Sequence, residues 1–324
     1  MAVARRFVSQ LGEQEKVDQV FLASEKQLRT NRNGNLYLQV RLSDRTGSLT
    51  AMLWNANDAT YGSFNNGDFL RAQGTVQVYN GSLQMIVNRI ERADPATVDE
   101  ADFITIADRQ IAELTAKLAA RLRGMRNYHL RNLAECFLTD DAFMAKFTAA
   151  PAGVKNHHAY KGGLLEHVVQ LMELCASVAP HYPELDTDQL TIGAFLHDAG
   201  KIEELTYERD LGYSDSGQLI GHVVIGVVLL EEKLKQVREL AKEEFPQELA
   251  LRLKHLIVSH QGEYEYGSPK LPMTLEAIAL AYLDDLDAKM HSIGQLIRDD
   301  ANTDSPWTPY YASLQRKFFK GERT

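Results

Sequence analysis

Histidine is missing from the first 128 residues of this chain, and all ten copies follow. A site built on imidazole is therefore excluded from the N-terminal third and expected only downstream. Cysteine is scarce: Cys136 and Cys175 by themselves make neither a disulfide framework nor a cysteine-ligated zinc site. They read as buried thiols of a reducing compartment. No apolar run approaches the ~20 residues of a membrane span. The start, MAVARRFVSQLGEQEK, lacks the apolar core and cleavage pattern of a secretory signal, so a cytoplasmic protein is expected. Internal repeats and low-complexity tracts are also lacking.

What is present is ordinary for a soluble globular chain: 324 residues, 44% hydrophobic and 24% charged, enough for about two domains. Charge is unevenly spread. Residues 1–93 carry 11 Lys and Arg against 8 Asp and Glu, whereas 94–324 carry 24 against 36. A net charge of −9 argues against a nonspecific polyanion coat and leaves room for a basic patch on the first segment.

Residues 16–92 read as strands. LYLQVRLSD places Leu36, Leu38, Val40 and Leu42 on one face and Tyr37, Gln39 and Arg41 on the other. SLTAMLW alternates again, with Leu49, Ala51 and Leu53 matched to the first set. Asp44-Arg45-Thr46-Gly47 between them is a turn. NANDATYGSF suits a short helix. DFLRAQGTVQVY and SLQMIVNRIER, joined by Asn80-Gly81, read as a hairpin with a type I′ turn. Five strands with one helix between the third and fourth is the OB-fold layout. The segment resembles nucleic-acid-binding OB domains of the tRNA-anticodon-binding type. Such barrels bind single strands on strands two and three and the flanking loops. Candidate contacts are Tyr37 and Tyr79 for bases and Arg32 and Arg41 for phosphates. Trp54 ends a strand, where it could cap the barrel instead.

The acidic break DPATVDEA, with Pro95 restricting its predecessor, marks a boundary. Residues 106–149 then show helical stripes: Leu114, Leu118, Leu122 and Met125, followed by Leu130, Leu133, Ala134 and Phe137. Three segments are expected: 1–93, an all-β barrel; 94–150, a helical connector; and 151–324, an all-α domain with a tail.

The histidines sit in that last segment in a definite order: His157 and His158, His167 in a helix after Gly162-Gly163, adjacent His197 and Asp198, Lys201, His222 opening an apolar helix, and His260 closing another before Gly262. LDDLDAKM adds Asp284, Asp285 and Asp287. Imidazole and carboxylate together suit divalent Mn, Fe, Zn or Ni. A His-Asp pair is useful because the carboxylate can bridge two ions while its neighbour binds one. Isolated helical histidines such as His129, His181, His255 and His291 are expected to be structural or surface residues.

The set GGLLEHV…LHDAGK…GHVVIG…SHQG…LDDLDAK resembles the HD-domain metal-dependent phosphohydrolases. The whole chain resembles the YhaM-type 3′→5′ exoribonucleases, which join an OB-fold to an HD domain. The resemblance implies hydrolysis of single-stranded RNA to nucleoside 5′-monophosphates, with two divalent ions, manganese first and iron, nickel, zinc or magnesium as alternatives. It implies a first metal site from His167, His197, Asp198 and Asp284, and a second from His222 and His260 with Asp198 bridging. Asp287, one turn beyond Asp284, is the alternative last ligand. Lys201, on the same helix as Asp198, would face the substrate phosphate. His157 and His158 would touch RNA or back a ligand. Tyr264, Tyr266 and Lys270, on the loop after His260, would line the entry for the terminal nucleotide. Single-stranded DNA is an alternative polymer, and apolar helices such as VVIGVVLLEEKL could serve a homo-oligomer. Two rival readings are an HD phosphohydrolase of a nucleotide or cyclic dinucleotide with a regulatory barrel, and a non-catalytic RNA-binding protein.

Overall fold

The computed structural model describes residues 5–31, 34–44, 46–79, 82–94, 97–99, 102–103, 108–154, 160–207, 212–298, 300, 302 and 305–321. Arg32, Arg45, Asn80-Gly81, Pro95, His157 and His158 lie outside them. The chain divides into two compact units, residues 1–105 with 293–324, and residues 106–292.

The first unit is built on five strands: β1 (Lys16–Thr30), β2 (Leu36–Asp44), β3 (Gly47–Trp54), β4 (Phe69–Tyr79) and β5 (Ser82–Arg92). They close into a barrel of order β1-β2-β3-β5-β4, with β4 pairing back onto β1. Closure leaves no free edge for a foreign strand. The alternation expected for β2 and β3 holds: Leu38 faces Leu53, Val40 faces Ala51 and Leu42 faces Leu49 across the ladder. Leu38, Val40, Leu42, Leu49 and Ala51 are buried with Phe21, Leu70, Val76 and Met85 from the other strands. Leu36, at the strand end, is exposed. Asp44 closes the β2–β3 turn, its Oδ1 accepting from Thr46 N at 2.8 Å. The expected short helix is α1 (Asp58–Gly62), and its N-cap Asn57 accepts from Thr60 N.

The second unit is helical: α2 (Asp108–Arg123), α3 (Tyr128–Leu138), α4 (Asp141–Ala149), α5 (Gly163–Val178), α6 (Thr187–Leu196), α7 (Lys201–Glu204), α8 (Asp215–Leu219), α9 (His222–Ala241), α10 (Gln247–Ser259) and α11 (Leu275–Arg298). The unit boundary falls within α11, between Ser292 and Ile293. Side-chain caps on backbone N–H groups start several helices: Asn127 for α3, Asp140 for α4, Asp186 for α6 and Ser214 for α8. The stripes read from 106–149 are buried, apart from the half-buried Leu114, and they share one core with the helices that follow. Phe195 on α6 packs its ring against Phe137 at 5.3 Å and Phe147 at 5.2 Å. Truncating such a buried ring costs about 3–5 kcal/mol. This anchor stands two residues before the His197-Asp198 pair, so core packing fixes where that pair emerges.

No helix among the described residues is long and apolar enough to cross a membrane.

Candidate metal centre

Gly162, at φ +84°, turns the chain into α5 in a backbone conformation that side chains disfavour. Five residues later His167 is buried on the core face of α5. His197 follows the last residue of α6, with its amide still bonded to Gly193 O at 2.9 Å. The helix does not continue through Lys201, as the sequence suggested. Residues 197–200 form a tighter turn, with Ala199 N bonded to Leu196 O and Lys201 N to Asp198 O, before α7 begins. The reason is packing. A Cβ on Gly200 would lie 2.0 Å from His222 O and 2.7 Å from Gly226 N, so the turn rests directly on the start of α9. That contact brings His222 to Asp198. His260 ends α10, and Asp284 and Asp287 project from α11.

These five elements bring together two groups of ligand-type atoms, the atoms of each group within 4.8 Å of one another: His167, His197 and Asp284, and Asp198, His222 and His260. Asp198 faces both. Its Oδ2 lies 3.3 Å from His197 Nε2 and 3.8 Å from His167 Nε2. Its Oδ1 lies 3.5 Å from His222 Nε2 and 3.7 Å from His260 Nε2. Asp284 Oδ1 is 3.2 Å from His167 Nε2 and 3.7 Å from His197 Nε2. Asp287 instead approaches the other ring nitrogen of His167, with Nδ1 to Oδ2 at 2.8 Å. Thus Asp284 joins the converging atoms and Asp287 holds a ring from behind.

All four imidazoles are held the same way. Nδ1 of His197 donates to Ala194 O at 2.9 Å, and Nδ1 of His260 donates to Ile257 O at 2.7 Å. A carbonyl can only accept, which puts the proton on Nδ1 and leaves Nε2 a lone pair. His167 and His222 meet carboxylates at Nδ1, Asp287 at 2.8 Å and Glu204 at 2.9 Å. The four Nε2 atoms therefore point inward. His222 Nε2 is buried with no hydrogen-bond partner, and Nε2 of His167 and His197 are 3.3 Å apart. Buried lone pairs in such an arrangement are costly unless a cation or proton lies among them. The donor set fits divalent cations, and these atoms could hold them.

Electrostatics agrees. Burial alone would raise the carboxyl of Asp198, but Lys201 and His197 outweigh it and hold it well below the usual carboxylate range. Asp284 is likewise depressed against its burial by His197 and His167. Burial works against a charged His167, yet Asp284 and Asp287 lift it to about 9. His260 is pushed down to about 4, by burial first and His197 second. Burial also pushes the Cys175 thiol up to about 12, which keeps it out of thiolate chemistry.

The other expected site residues are placed as follows. Lys201 Nζ donates to Asp198 Oδ2 at 2.6 Å and to Ala152 O at 2.7 Å. Tyr264, Tyr266 and Lys270 are exposed on the loop after His260. On the barrel, Tyr37 lies opposite Trp54 across the β2–β3 ladder, with ring centroids 5.1 Å apart. Trp54 does not cap the barrel: it is 45% exposed on the same outer face as Tyr37. Arg41 is exposed on that face, bonded to Ser48 Oγ at 2.9 Å, and Tyr79 is exposed at the end of β4.

Three contributors escaped sequence reasoning. Glu204 holds His222. Tyr160 donates its hydroxyl to Glu166 in a half-buried pair beside His167 in sequence. Gly200 permits the close approach of α9. Only Gly200, inside LHDAGK, carried a visible signal.

Comparison with known proteins matches the same architecture. An HD domain model matches residues 164–289. A model described as an OB-fold nucleic acid binding domain matches residues 23–93. The 3′-5′ exoribonuclease YhaM of Bacillus velezensis is 34% identical over 277 residues, covering 85% of this chain and 86% of the relative. YhaM of Bacillus subtilis is 33% identical over 284 residues, covering 87% and 88%. With an OB barrel, an HD helical domain and that similarity along most of its length, the chain belongs to the YhaM family.

Proposed function

We propose that this protein is a 3′→5′ exoribonuclease that hydrolyses single-stranded RNA to nucleoside 5′-monophosphates at a two-cation centre. The observation that carries this reading is Asp198, whose two carboxylate oxygens face separate histidine pairs. The relatives named 3′-5′ exoribonuclease support the reaction, and the match to a nucleic-acid-binding OB-fold supports a polymeric substrate. His167, His197 and Asp284 with Asp198 Oδ2 would hold one cation. His222 and His260 with Asp198 Oδ1 would hold the other. Such a pair supplies Lewis acidity toward phosphate and a water made nucleophilic near neutral pH. Manganese is the first choice, to be compared with iron, nickel, zinc and magnesium.

The chain's own residues do the rest. Asp287, Ala194 O, Glu204 and Ile257 O fix the four rings so that their lone pairs are aligned before substrate arrives. Lys201 stays charged, because the attraction of Asp198 outweighs its burial. It places a cation where negative charge accumulates during hydrolysis. On the barrel, the Tyr37–Trp54 pair would offer stacking faces, with Arg41 four residues along β2 for phosphate; Arg32 and Tyr79 remain further candidate contacts. Work in the cytoplasm fits two buried free cysteines.

Product analysis tests the substrate class. Single-stranded RNA is compared with mononucleotides and cyclic dinucleotides, using metal-loaded protein. The expected result is nucleoside 5′-monophosphate from RNA, and rapid turnover of the small nucleotides alone would overturn the reading. Tyr37→Ala with Trp54→Ala is expected to weaken RNA affinity roughly tenfold or more.

A further inference from the structure

After α11 the chain forms a hydrogen-bonded hairpin, three of whose five aromatic rings are exposed. Residues 305–321 contain five aromatics (Trp307, Tyr310, Tyr311, Phe318, Phe319), three cations (Arg316, Lys317, Lys320) and no carboxylate, in a chain of net charge −9. Thr308 N donates to Phe318 O at 2.9 Å, Tyr311 N to Arg316 O at 3.0 Å and Lys320 N to Pro306 O at 2.7 Å. Lys320 anchors the base through an ion pair with Asp300 at 2.5 Å, both side chains at most 1% exposed. A pair so fully desolvated depends on fixed geometry, unlike a loose surface contact.

A hairpin this ordered could turn its large rings inward. Instead Trp307, Tyr310 and Phe319 are 47%, 58% and 62% exposed. Trp307 and Phe319 lie side by side, ring centroids 5.0 Å apart. Arg316 and Lys317 are exposed between them in sequence. Arg316 gives one N–H to Leu314 O, and no carboxylate among the described residues pairs with either cation.

We propose that this hairpin is a second contact for single-stranded nucleic acid, separate from the β2–β3 face of the barrel. Trp307 and Phe319 stack on bases, and Arg316 and Lys317 take phosphates. The idea rests on the reading of RNA as substrate and adds a binding element to it. The chemistry selects this partner: an apolar protein surface would use the rings and leave both cations unpaired, whereas a strand of bases and phosphates uses both. The hairpin belongs to the same compact unit as the barrel.

The test uses the two tryptophans of the chain, Trp54 and Trp307. Trp54→Phe leaves Trp307 as the only indole in full-length, metal-loaded protein. A 5′-dye oligouridylate whose 3′ linkages are phosphorothioates is titrated in, with Trp307 emission and dye anisotropy read together. The expected result is quenching of Trp307 with the anisotropy midpoint. Arg316→Ala with Lys317→Ala should weaken binding roughly tenfold and reduce the salt slope by about 1.4, for two lost phosphate contacts. Saturating anisotropy with unchanged Trp307 emission would overturn the proposal and leave RNA binding intact. No anisotropy change with wild-type protein would overturn both readings. Emission that shifts with protein concentration alone, alongside a dimer in sedimentation, would assign the hairpin to contact between copies and also overturn the proposal.

Discussion

One carboxylate oxygen, Glu204 Oε1, accepts both the backbone N–H and the ring Nδ1–H of His222, each at 2.9 Å. The contact fixes the first residue of α9 in position and the imidazole in one tautomer. It also sets a negative charge at the positive end of a 20-residue helix. Glu204→Ala should weaken cation binding at the Asp198–His222–His260 group about 10- to 100-fold, leaving the His167 group occupied. Glu204→Gln keeps an acceptor oxygen and should retain most of the affinity. Titration of metal-free protein with Mn²⁺ by calorimetry checks both; two equal, unweakened sites in the alanine variant would contradict the assignment.

Cation binding should also release a proton. With its pKa lifted to about 9, His167 is protonated at neutral pH in the metal-free protein, and a cation at Nε2 must displace that proton. Affinity at the first group should therefore rise with pH and level off above about 9. Calorimetry in buffers of different ionisation enthalpy counts the protons. Zero release at pH 7 would contradict the expectation.

Gly200→Ala should be among the most damaging small substitutions. Its Cβ would meet backbone, His222 O at 2.0 Å, and backbone cannot swing aside as a side chain can. Overpacking of this kind costs about 1–3 kcal/mol or more, and any relief moves His222 away from Asp198. Gly62→Ala, with nothing within 4 Å, is the control expected to be near neutral. Melting temperatures and Mn²⁺ titration compare the two.

Away from the site, Lys233 is buried and donates to Asp140 Oδ2 at 2.6 Å and to Cys136 O at 2.9 Å. Asp140 also caps α4 through Phe143 N. Asp140→Ala should cost about 2 kcal/mol, combining a lost cap with a stranded buried cation. The hydrogen bond from Lys233 holds the Asp140 carboxyl below its usual range. A depressed folded-state value contributes stability above the unfolded-state pKa, and that contribution disappears as pH falls through the folded-state value. The gap between wild type and Asp140→Ala should thus be full at pH 7 and shrink under acid. Urea unfolding across that range measures it.

The barrel was legible because a period of two in Leu38, Val40 and Leu42 met its match in Leu49 and Ala51, and local alternation alone decides which face is buried. The histidine order was legible because His167, His197-Asp198, Lys201, His222, His260 and Asp284 follow one another as an ordered set over about 120 helical residues. What stayed hidden depends on long-range return of the chain. Nothing in GKIEEL says that Glu204 will meet the start of α9, eighteen residues on. In the LDDLDA run the resemblance favoured Asp284 and left Asp287 as the alternative; the fold turns Asp284 toward Nε2 and Asp287 toward Nδ1 of the same ring. Lys201 was expected on the same helix as Asp198, but the chain turns at 197–200 where Gly200 rests on the start of α9. Trp54 looked like a cap because strand ends are ambiguous; its cross-strand partner Tyr37 sets its face.

Asp198 is proposed to serve both halves of one hydrolytic centre. The direct measurement is a time course on 5′-labelled single-stranded RNA with Mn²⁺, comparing wild type with Asp198→Ala of verified fold and melting temperature. Wild type is expected to shorten the RNA progressively from the 3′ end, stopped by a 3′ block, and the variant to lose at least about 10²-fold in rate. A folded Asp198→Ala protein that shortens RNA at the wild-type rate would contradict it.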